Sequence, residues 1–274
     1  MLDNASKAFF HLLARSGTLK KIASRYGMRN RSSFARRFIA GETVEEAIDA
    51  ARRVEAAGLT QTLDYLGESV RTLGEADAAT RDYLRVIDAV IKAGIGRNLS
   101  LKLTQLGLDV DRASAVDNLR RILEHAQDFF VRLDMESSQY TETTLRIFET
   151  LWEQNYRNIG VVLQAELYRT QQDVERIIAL GARIRLVKGA YREPASVAYP
   201  KKSDVDAAFA QLMKRLLVEA TYPAIATHDE AMLREAQRYV IEQRIAKERF
   251  EFQMLYGVRR DLQASLVADR KSVV

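Results

Sequence analysis

Cysteine is absent from the 274-residue sequence, and histidine and proline are scarce, with three residues of each. Without cysteine the chain has no disulfide, no thiolate metal site, no cysteine nucleophile and no iron–sulfur cluster. The histidines, His11, His125 and His228, lie too far apart in sequence to indicate a histidine-rich metal centre. We therefore expect a site that works without a metal ion.

Long hydrophobic runs are also missing. No apolar stretch approaches the roughly 18 residues that a membrane-spanning helix needs. The N-terminal sequence MLDNASKAFF lacks the basic region followed by an apolar stretch that marks a signal peptide. Apolar residues make up 47% and charged residues 29% of the chain, which is the balance of an ordinary folded domain. These features predict a cytoplasmic protein with a sizeable core.

Acidic residues are nearly absent from the first part of the chain. Residues 1–40 hold nine Lys and Arg residues and one acidic residue, a net charge of +8, while the remainder carries −3. We interpret residues 1–40 as a basic helical segment, which forms either a solvated face or a contact surface for an anionic partner such as a membrane. Nucleic acid is the weakest candidate partner because no zinc-finger, RNP or basic-zipper pattern is present.

From Gly41 onward, short apolar runs alternate with amphipathic stretches, a pattern that predicts parallel βαβ units in one domain over residues 41–274. Thr43 followed by Glu46 is typical of the capping box at a helix start. The predicted strands are 59–67, 99–107, 129–136, 159–165, 184–191, 224–229 and 250–255. The predicted helices are 43–57, 75–93, 112–127, 141–156, 170–181, 204–221 and 229–246.

Two architectures fit this alternation, a doubly wound open sheet and a (β/α)8 barrel. The first strand is not followed by G-x-G-x-x-G, and no Walker A sequence occurs, so the nucleotide-binding open sheet is disfavoured. Every apolar run has a polar residue near its carboxyl end, where a barrel enzyme builds its active site. These residues are Asp64, Lys102, Asp134, Gln164, Lys188, Thr227 with His228, and Gln253. We therefore favour the barrel.

The residue types at these strand ends leave several chemistries open. Asp134 and Lys102 suit acid/base work or a structural ion pair, and Lys102 or Lys188 suits a Schiff base of the aldolase kind. Thr227 and His228 precede a predicted helix, where they would bind an anion such as phosphate or merely cap the helix.

Six segments of the chain, taken in order, resemble the proline dehydrogenase family in its short, stand-alone bacterial form. They are SLKLTQLGLD (100–109), VRLDME (131–136), VLQAELYRT (162–170), RLVKGAYREP (185–194), ATHDE (226–230) and FEFQMLYGVR (250–259). The resemblance implies a distorted (β/α)8 barrel that binds FAD without a covalent bond. It further implies oxidation of L-proline to Δ1-pyrroline-5-carboxylate, with electrons leaving for a membrane quinone.

The resemblance also implies roles for individual residues. Asp134 and Arg185 would be catalytic, Asp134 by organising the substrate pocket and Arg185 by stabilising negative charge on the reduced flavin. Lys102 and Tyr191 would contact the substrate. The residues implied to hold FAD are Met135, Gln164, Lys188, Gly189, Ala190, Thr227 and His228. Regular alternation places Arg185 and Lys188 on opposite strand faces, so both can meet one cofactor only if the strand twists or ends between them.

The carboxyl-terminal part of the sequence departs from the family. Family members continue with an eighth strand and a final helix, whose paired arginines grip the proline carboxylate, whereas this sequence reads RKSVV after Asp269. We therefore expect a C-terminally truncated barrel of about seven strands, with a gap between 250–255 and 59–66. A truncated, non-catalytic flavin-binding barrel is the alternative function.

Overall fold

The computed structural model of the chain describes residues 38–268, in which strands and helices alternate. Most of the predicted basic segment 1–40 lies outside the described residues. The strands are β1 (Leu63–Asp64), β2 (Asn98–Leu101), β3 (Phe130–Leu133), β4 (Ile159–Gln164), β5 (Ile184–Val187), β6 (Ala224–Ala226) and β7 (Glu251–Gln253). The helices are α1 (Val44–Ala56), α2 (Leu73–Ala93), α3 (Arg112–His125), α4 (Ser138–Glu153), α5 (Thr170–Leu180), α6 (Lys202–Glu219), α7 (Glu230–Glu242) and α8 (Arg260–Ala268).

The seven strands form one parallel sheet in which each strand lies beside its neighbour in the chain. A parallel sheet carries helices on its outer face, so its strands are buried and apolar. All six residues of β4 are buried, for example, and Val131 of β3 is in register with Ile159 of β4. The predicted parallel βαβ organisation is confirmed.

Side chains of strands that are not neighbours meet on the inner face, which shows that the sheet is curled. Arg132 of β3 lies 3.7 Å from Glu251 of β7, and Arg185 of β5 donates to Ser100 of β2 at 3.1 Å. Within residues 38–268, β1 pairs with β2 alone and β7 with β6 alone. Within residues 38–268 the fold is therefore a curled half-barrel of the (β/α)8 type with seven strands, whose unpaired edges are β1 and β7, as predicted.

Local signals in the sequence place the helix ends. The Thr43 hydroxyl accepts a hydrogen bond from the Glu46 backbone amide at 3.3 Å, which confirms the predicted N-cap of α1. Helix α2 begins in the same way at Thr72 and ends at Gly94, whose φ of +67° is the left-handed conformation that glycine adopts readily. No helix within residues 38–268 is long and apolar enough to cross a bilayer.

The observed strands are shorter than the apolar runs that predicted them. Leu103 and Leu106 are buried, as a strand would require, but they lie in turns that follow β2. A hydrogen bond of 3.0 Å from the Leu106 amide to the Leu103 carbonyl closes one of these turns. Burial therefore extends beyond the sheet, so a run of apolar residues overestimates strand length. Helix α8 was not predicted.

Candidate active site

Strand register places the polar side chains of the barrel interior in rows. Asp64 of β1 is in register with Ser100 of β2, and Ser100 with Arg132 of β3. Side chains two residues apart lie on the same face of a strand. Lys102 and Asp134 therefore follow Ser100 and Arg132 on the inner face, at the carboxyl ends of adjacent strands.

Lys102 lies between two carboxylates at the mouth of the barrel. Its Nζ is 3.2 Å from Oδ2 of Asp64 and 3.9 Å from Oδ2 of Asp134, and its side chain is 18% exposed. Burial alone would lower the pKa of Lys102, but the two carboxylates outweigh burial and hold that pKa above its usual value. Burial raises the pKa of Asp64, an effect that Lys102 opposes and Asp134 reinforces. Lys102 is therefore an ammonium group at neutral pH.

Asp134 joins Lys102 to a second cation, Arg185. Oδ1 of Asp134 accepts hydrogen bonds of 2.8 Å from the Ser100 hydroxyl and from Nη1 of Arg185. The side chains of Asp134 and Arg185 are 18% and 14% exposed, so this ion pair is largely shielded from water. Two cations and two carboxylates thus share the mouth, an arrangement that can bind a small zwitterion by both of its charged groups.

Comparisons with known proteins show the family of the chain. The sequence profile of the proline dehydrogenase family matches residues 47–274. The chain belongs to the proline dehydrogenase family. Proline dehydrogenase 1 of Bacillus subtilis (strain 168) is 39% identical over 262 residues, which cover 95% of this chain and 85% of the relative. Proline dehydrogenase of Deinococcus radiodurans is 40% identical over 243 residues, covering 86% of this chain and 78% of the relative.

A solved structure of related sequence has the same fold. The crystal structure of proline utilization A (PutA) from Bdellovibrio bacteriovorus, inactivated by N-propargylglycine, matches with a TM-score of 0.80 at 26% sequence identity. The match covers 87% of this chain but only 30% of the PutA chain, so the similarity is confined to one part of that larger protein.

Gln164, a residue that the proline dehydrogenase resemblance assigned to the flavin, is buried at the end of β4. Its Nε2 donates to the backbone carbonyls of Met135 and Glu136 at 3.2 and 2.9 Å. Its Oε1 is buried and has no hydrogen-bond partner within residues 38–268. A buried acceptor without a donor is rare in a folded protein and fits a ligand that brings an N–H group. Met135 is itself buried, at 6% exposure.

The segment after β5 separates two side chains that the sequence placed on one cofactor. The strand ends at Val187, and Nζ of Lys188 then donates to Asp206 at 2.5 Å and to Asp229 at 2.6 Å. Arg185 instead bonds toward the barrel interior, and within the described residues the two cations have no hydrogen-bond partner in common. Strand β5 thus ends between Arg185 and Lys188, which is the condition under which both could meet one cofactor, and their shared contact with FAD stays a prediction.

Gly189, Ala190 and Tyr191 continue this segment over the mouth. Gly189 has a φ of +118°, and a Cβ on it would meet the end of the Glu166 side chain, so a larger residue would be strained and would displace Glu166. Ala190 is exposed. Burial raises the pKa of Tyr191, and the negative charges of Glu68, Glu136, Asp134 and Glu193 raise it further.

Thr227 and His228, the predicted anion site, both accept hydrogen bonds from backbone amides of the chain. The Thr227 hydroxyl accepts from the Asp229 amide at 3.1 Å, and Asp229 caps α7 by accepting from the Ala231 amide at 3.1 Å. Nε2 of His228 accepts from the Leu255 amide at 2.8 Å. Both side chains are therefore hydrogen-bonded within the chain, and the binding of an FAD tail by Thr227 and His228 stays a prediction.

The described residues also bear on two other kinds of site, a metal centre and a Schiff-base lysine. Within residues 38–268, no group of three or more His, Asp or Glu side chains is arranged to hold a metal ion. The raised pKa of Lys102 disfavours a Schiff base, because the amine must lose its proton before it can attack a carbonyl.

Several residues of the site were not predicted from the sequence. Glu166 follows Gln164, and burial together with Glu193 raises the pKa of its carboxyl to about 7. Ser100 donates to Asp134, and Glu251 accepts from Gln253, a residue that the sequence did place at a strand end. Ser100 could have been found, because it lies two residues before Lys102 and so on the same face. Nothing in the local sequence indicates the environment of Glu166.

Proposed function

We propose that this chain oxidises L-proline to Δ1-pyrroline-5-carboxylate with FAD as the resident cofactor, and that the electrons then pass to a quinone. The observation that carries the proposal is the paired arrangement of Lys102 with Asp64 and of Arg185 with Asp134 at the mouth of the barrel. These two ion pairs offer positive and negative groups to a zwitterionic substrate. The chain also belongs to the proline dehydrogenase family.

The donor and acceptor groups present fit FAD. The unpartnered Oε1 of Gln164 suits the N–H edge of a flavin ring. We assign the holding of FAD to Met135, Gln164, Lys188, Gly189, Ala190, Thr227 and His228. FAD, when bound, would accept the hydride that proline loses from its ring carbon.

The charged side chains of the chain have separate tasks in this proposal. The Lys102 ammonium attracts the proline carboxylate, while Asp134 holds both Lys102 and Arg185 in place. The Arg185 guanidinium stabilises negative charge that develops beside it. Tyr191 covers the substrate from the segment after β5.

The experiment is an anaerobic visible spectrum of the purified chain, followed by additions of L-proline and then of a soluble quinone. We expect flavin absorbance that bleaches with proline and returns with quinone. The variant Lys102→Met should keep the flavin spectrum but require much more proline for bleaching. Asp117→Ala, at an exposed site on α3, is the control and should behave as the parent chain does.

Other results would favour other functions. Flavin that proline does not bleach would favour the non-catalytic flavin-binding barrel, an alternative suggested by the opening between β7 and β1. A chain without flavin whose lysine is trapped by borohydride with a carbonyl compound would favour an aldolase-like reaction.

The quinone acceptor also motivates a proposal about location. We propose that the protein is cytoplasmic and that the basic segment 1–40 contacts the inner face of the cell membrane. Co-sedimentation with liposomes should increase with anionic lipid content and decrease with salt. Binding that is insensitive to both would contradict this location.

A further inference from the structure

One ion pair and a series of hydrogen bonds connect the deeply buried Arg132 to Asp134 through the barrel interior. Nη2 of Arg132 is 3.7 Å from Oε1 of Glu251, and the same oxygen accepts a hydrogen bond from Nε2 of Gln253. Oε1 of Gln253 accepts from Nε of Arg185 at 2.5 Å, and Nη1 of Arg185 donates to Asp134 at 2.8 Å. These contacts therefore connect β7, which carries none of the family-assigned residues, with the charged mouth.

The side-chain amide of Gln253 has one orientation that satisfies both neighbours. Nε of Arg185 is a donor, so it must meet the amide oxygen, and the Glu251 carboxylate is an acceptor, so it must meet the amide NH₂. The backbone of Gln253 is held as well, because its carbonyl accepts from the Thr227 amide at 3.1 Å. Gln253 thus presents a fixed acceptor to Arg185.

Glu251 is itself held on several sides. Arg132 is 1% exposed, and its Nε and Nη1 have no hydrogen-bond partner within residues 38–268, so Glu251 is the anion nearest to a buried cation. Burial lowers the pKa of Arg132 to about 9, with Arg185 adding to the decrease and Glu251 opposing it. Glu251 also contributes, after burial, to the raised pKa of Tyr222.

We infer that Gln253 and Glu251 are positioning residues for Arg185, with Glu251 orienting the Gln253 amide and Gln253 orienting the guanidinium toward Asp134. An arginine held at Nε by one acceptor and at Nη1 by another cannot rotate about its long axis without breaking one bond. Its charge therefore points in a fixed direction before substrate binds, which is how preorganised electrostatic stabilisation works. The consequence for turnover rests on the proposed function, whereas the coupling between Gln253 and Arg185 does not.

The first test is a double-mutant cycle on the free energy of unfolding, with Gln253→Met, Arg185→Met and the double variant. Methionine is close to glutamine in length and replaces the apolar stem of arginine, and it removes the hydrogen bonds of both side chains. We expect the two changes to be non-additive by about fivefold or more in the unfolding equilibrium constant, as for residues in direct contact. Gln263→Met is the matched control. That residue is a buried glutamine whose amide donates to the Leu255 and Val258 carbonyls, and its effect should add to that of Arg185→Met.

The second test uses the proline:quinone assay on the same variants. Gln253→Met should lower kcat about 10²-fold, the loss expected from a small misplacement of a catalytic group, with little change in KM for proline. In the Arg185→Met background, Gln253→Met should cause no further loss of kcat. Gln263→Met should lower stability but leave kcat near that of the parent chain.

Each outcome decides a separate point. Additive unfolding free energies for Gln253 and Arg185 would overturn the inference, whether or not the chain oxidises proline. Coupled stability with a kcat for Gln253→Met equal to the parent value would also overturn it, because the contact would then be structural alone. Absence of proline oxidation in the parent chain, with coupled stability, would contradict the proposed function and leave the orientation of Arg185 by Gln253 supported.

Discussion

At the scale of single residues, the site depends on a few charged side chains that are largely buried and paired with one another. Lys102, Asp134 and Arg185 form ion pairs that are mostly shielded from solvent. Removing one partner of a partly buried ion pair destabilises the folded protein, because the remaining charge is buried without an opposite charge beside it. Substitutions here must therefore be judged by their effect on stability as well as on turnover.

Removing either member of the Asp134–Arg185 pair should damage turnover more than flavin retention. We expect Asp134→Ala and Arg185→Ala to lower kcat about 10²–10³-fold, as does removal of one preorganised charge in comparable sites. Flavin content, measured by absorbance after denaturation, should fall much less. Equal losses of bound FAD and of rate would instead show that these residues hold the cofactor.

Glu166 predicts a pH dependence of stability. The pKa of its carboxyl is about 7 in the folded chain, above the ordinary value of about 4.3, because burial and Glu193 disfavour the charged form. A raised folded-state pKa means that its contribution to stability is fully present below about pH 4 and is lost as pH rises through about 7. Glu166→Gln should therefore stabilise the chain on the order of 1–3 kcal/mol at pH 8, after allowance for partial solvent screening.

Chemical denaturation at pH 5 and pH 8 measures this effect. The gain from Glu166→Gln should be smaller at pH 5, since less of the charge penalty has developed there. Glu153→Gln, at an exposed position near the end of α4, should change stability little at either pH. The same gain for Glu166→Gln at both pH values would show that ionisation of Glu166 is not its cause.

At the scale of elements, strand ends and turns decide which side chains reach the mouth. Strand β5 ends at Val187, and the following turn at Gly189 sends Lys188 toward Asp206 and Asp229 rather than toward Arg185. The turn also encloses the Glu166 side chain. The positive φ of Gly189 is therefore required by the geometry of the site.

Replacing Gly189 by alanine should lower the free energy of unfolding more than replacing Gly94, another glycine with a positive φ. Gly189→Ala combines a φ of +118° with a Cβ that clashes with Glu166, whereas Gly94→Ala, at φ +67°, has no atom within 4 Å. We expect a loss of about 1 kcal/mol for Gly94→Ala and of about 2 kcal/mol or more for Gly189→Ala. Urea denaturation of both variants measures the difference.

The contact with Glu166 can be separated from backbone strain. In a Glu166→Ala background, the clash disappears and only the strain of the positive φ remains. The cost of Gly189→Ala should therefore decrease in that background but stay above the cost of Gly94→Ala, because a φ of +118° lies outside the left-handed region that alanine tolerates. An unchanged cost would show that strain alone limits this position.

At the scale of the whole molecule, the curled sheet has two open edges within residues 38–268, one on β1 and one on β7. Edge strands present unpaired backbone groups and are prone to open or to pair with other chains. The central β4 is bonded on both sides by β3 and β5. Local stability should therefore decrease from the middle of the sheet toward both edges.

Hydrogen exchange followed by mass spectrometry should detect this gradient. We expect peptides that contain β1 and β7 to exchange at least about tenfold faster than peptides that contain β4, because local opening requires less free energy at an open edge. The helices α4 and α5, which flank β4 in the chain, provide internal references. Equal protection of β1, β7 and β4 would show that part of the chain outside residues 38–268, or another molecule, covers the opening.

The sequence by itself determined the order of the elements and the edge of the sheet on which the site lies. Alternating apolar and amphipathic runs indicated parallel βα units, and the position of Asp64, Lys102 and Asp134 at the carboxyl ends of successive runs placed them at one mouth. These properties depend on period and chain direction, which are local features of a sequence. The assignment of Thr43 as a cap is local in the same way.

Only the tertiary structure decided which of these side chains meet. Arg185 reaches Asp134, Ser100 and Gln253 across the barrel, from strands 51, 85 and 68 residues away, because the sheet is curled. Lys188, three residues later, faces two other carboxylates because its strand has already ended. Contacts across a curved sheet depend on strand length, twist and curl together, and none of these is encoded at a single position of the sequence.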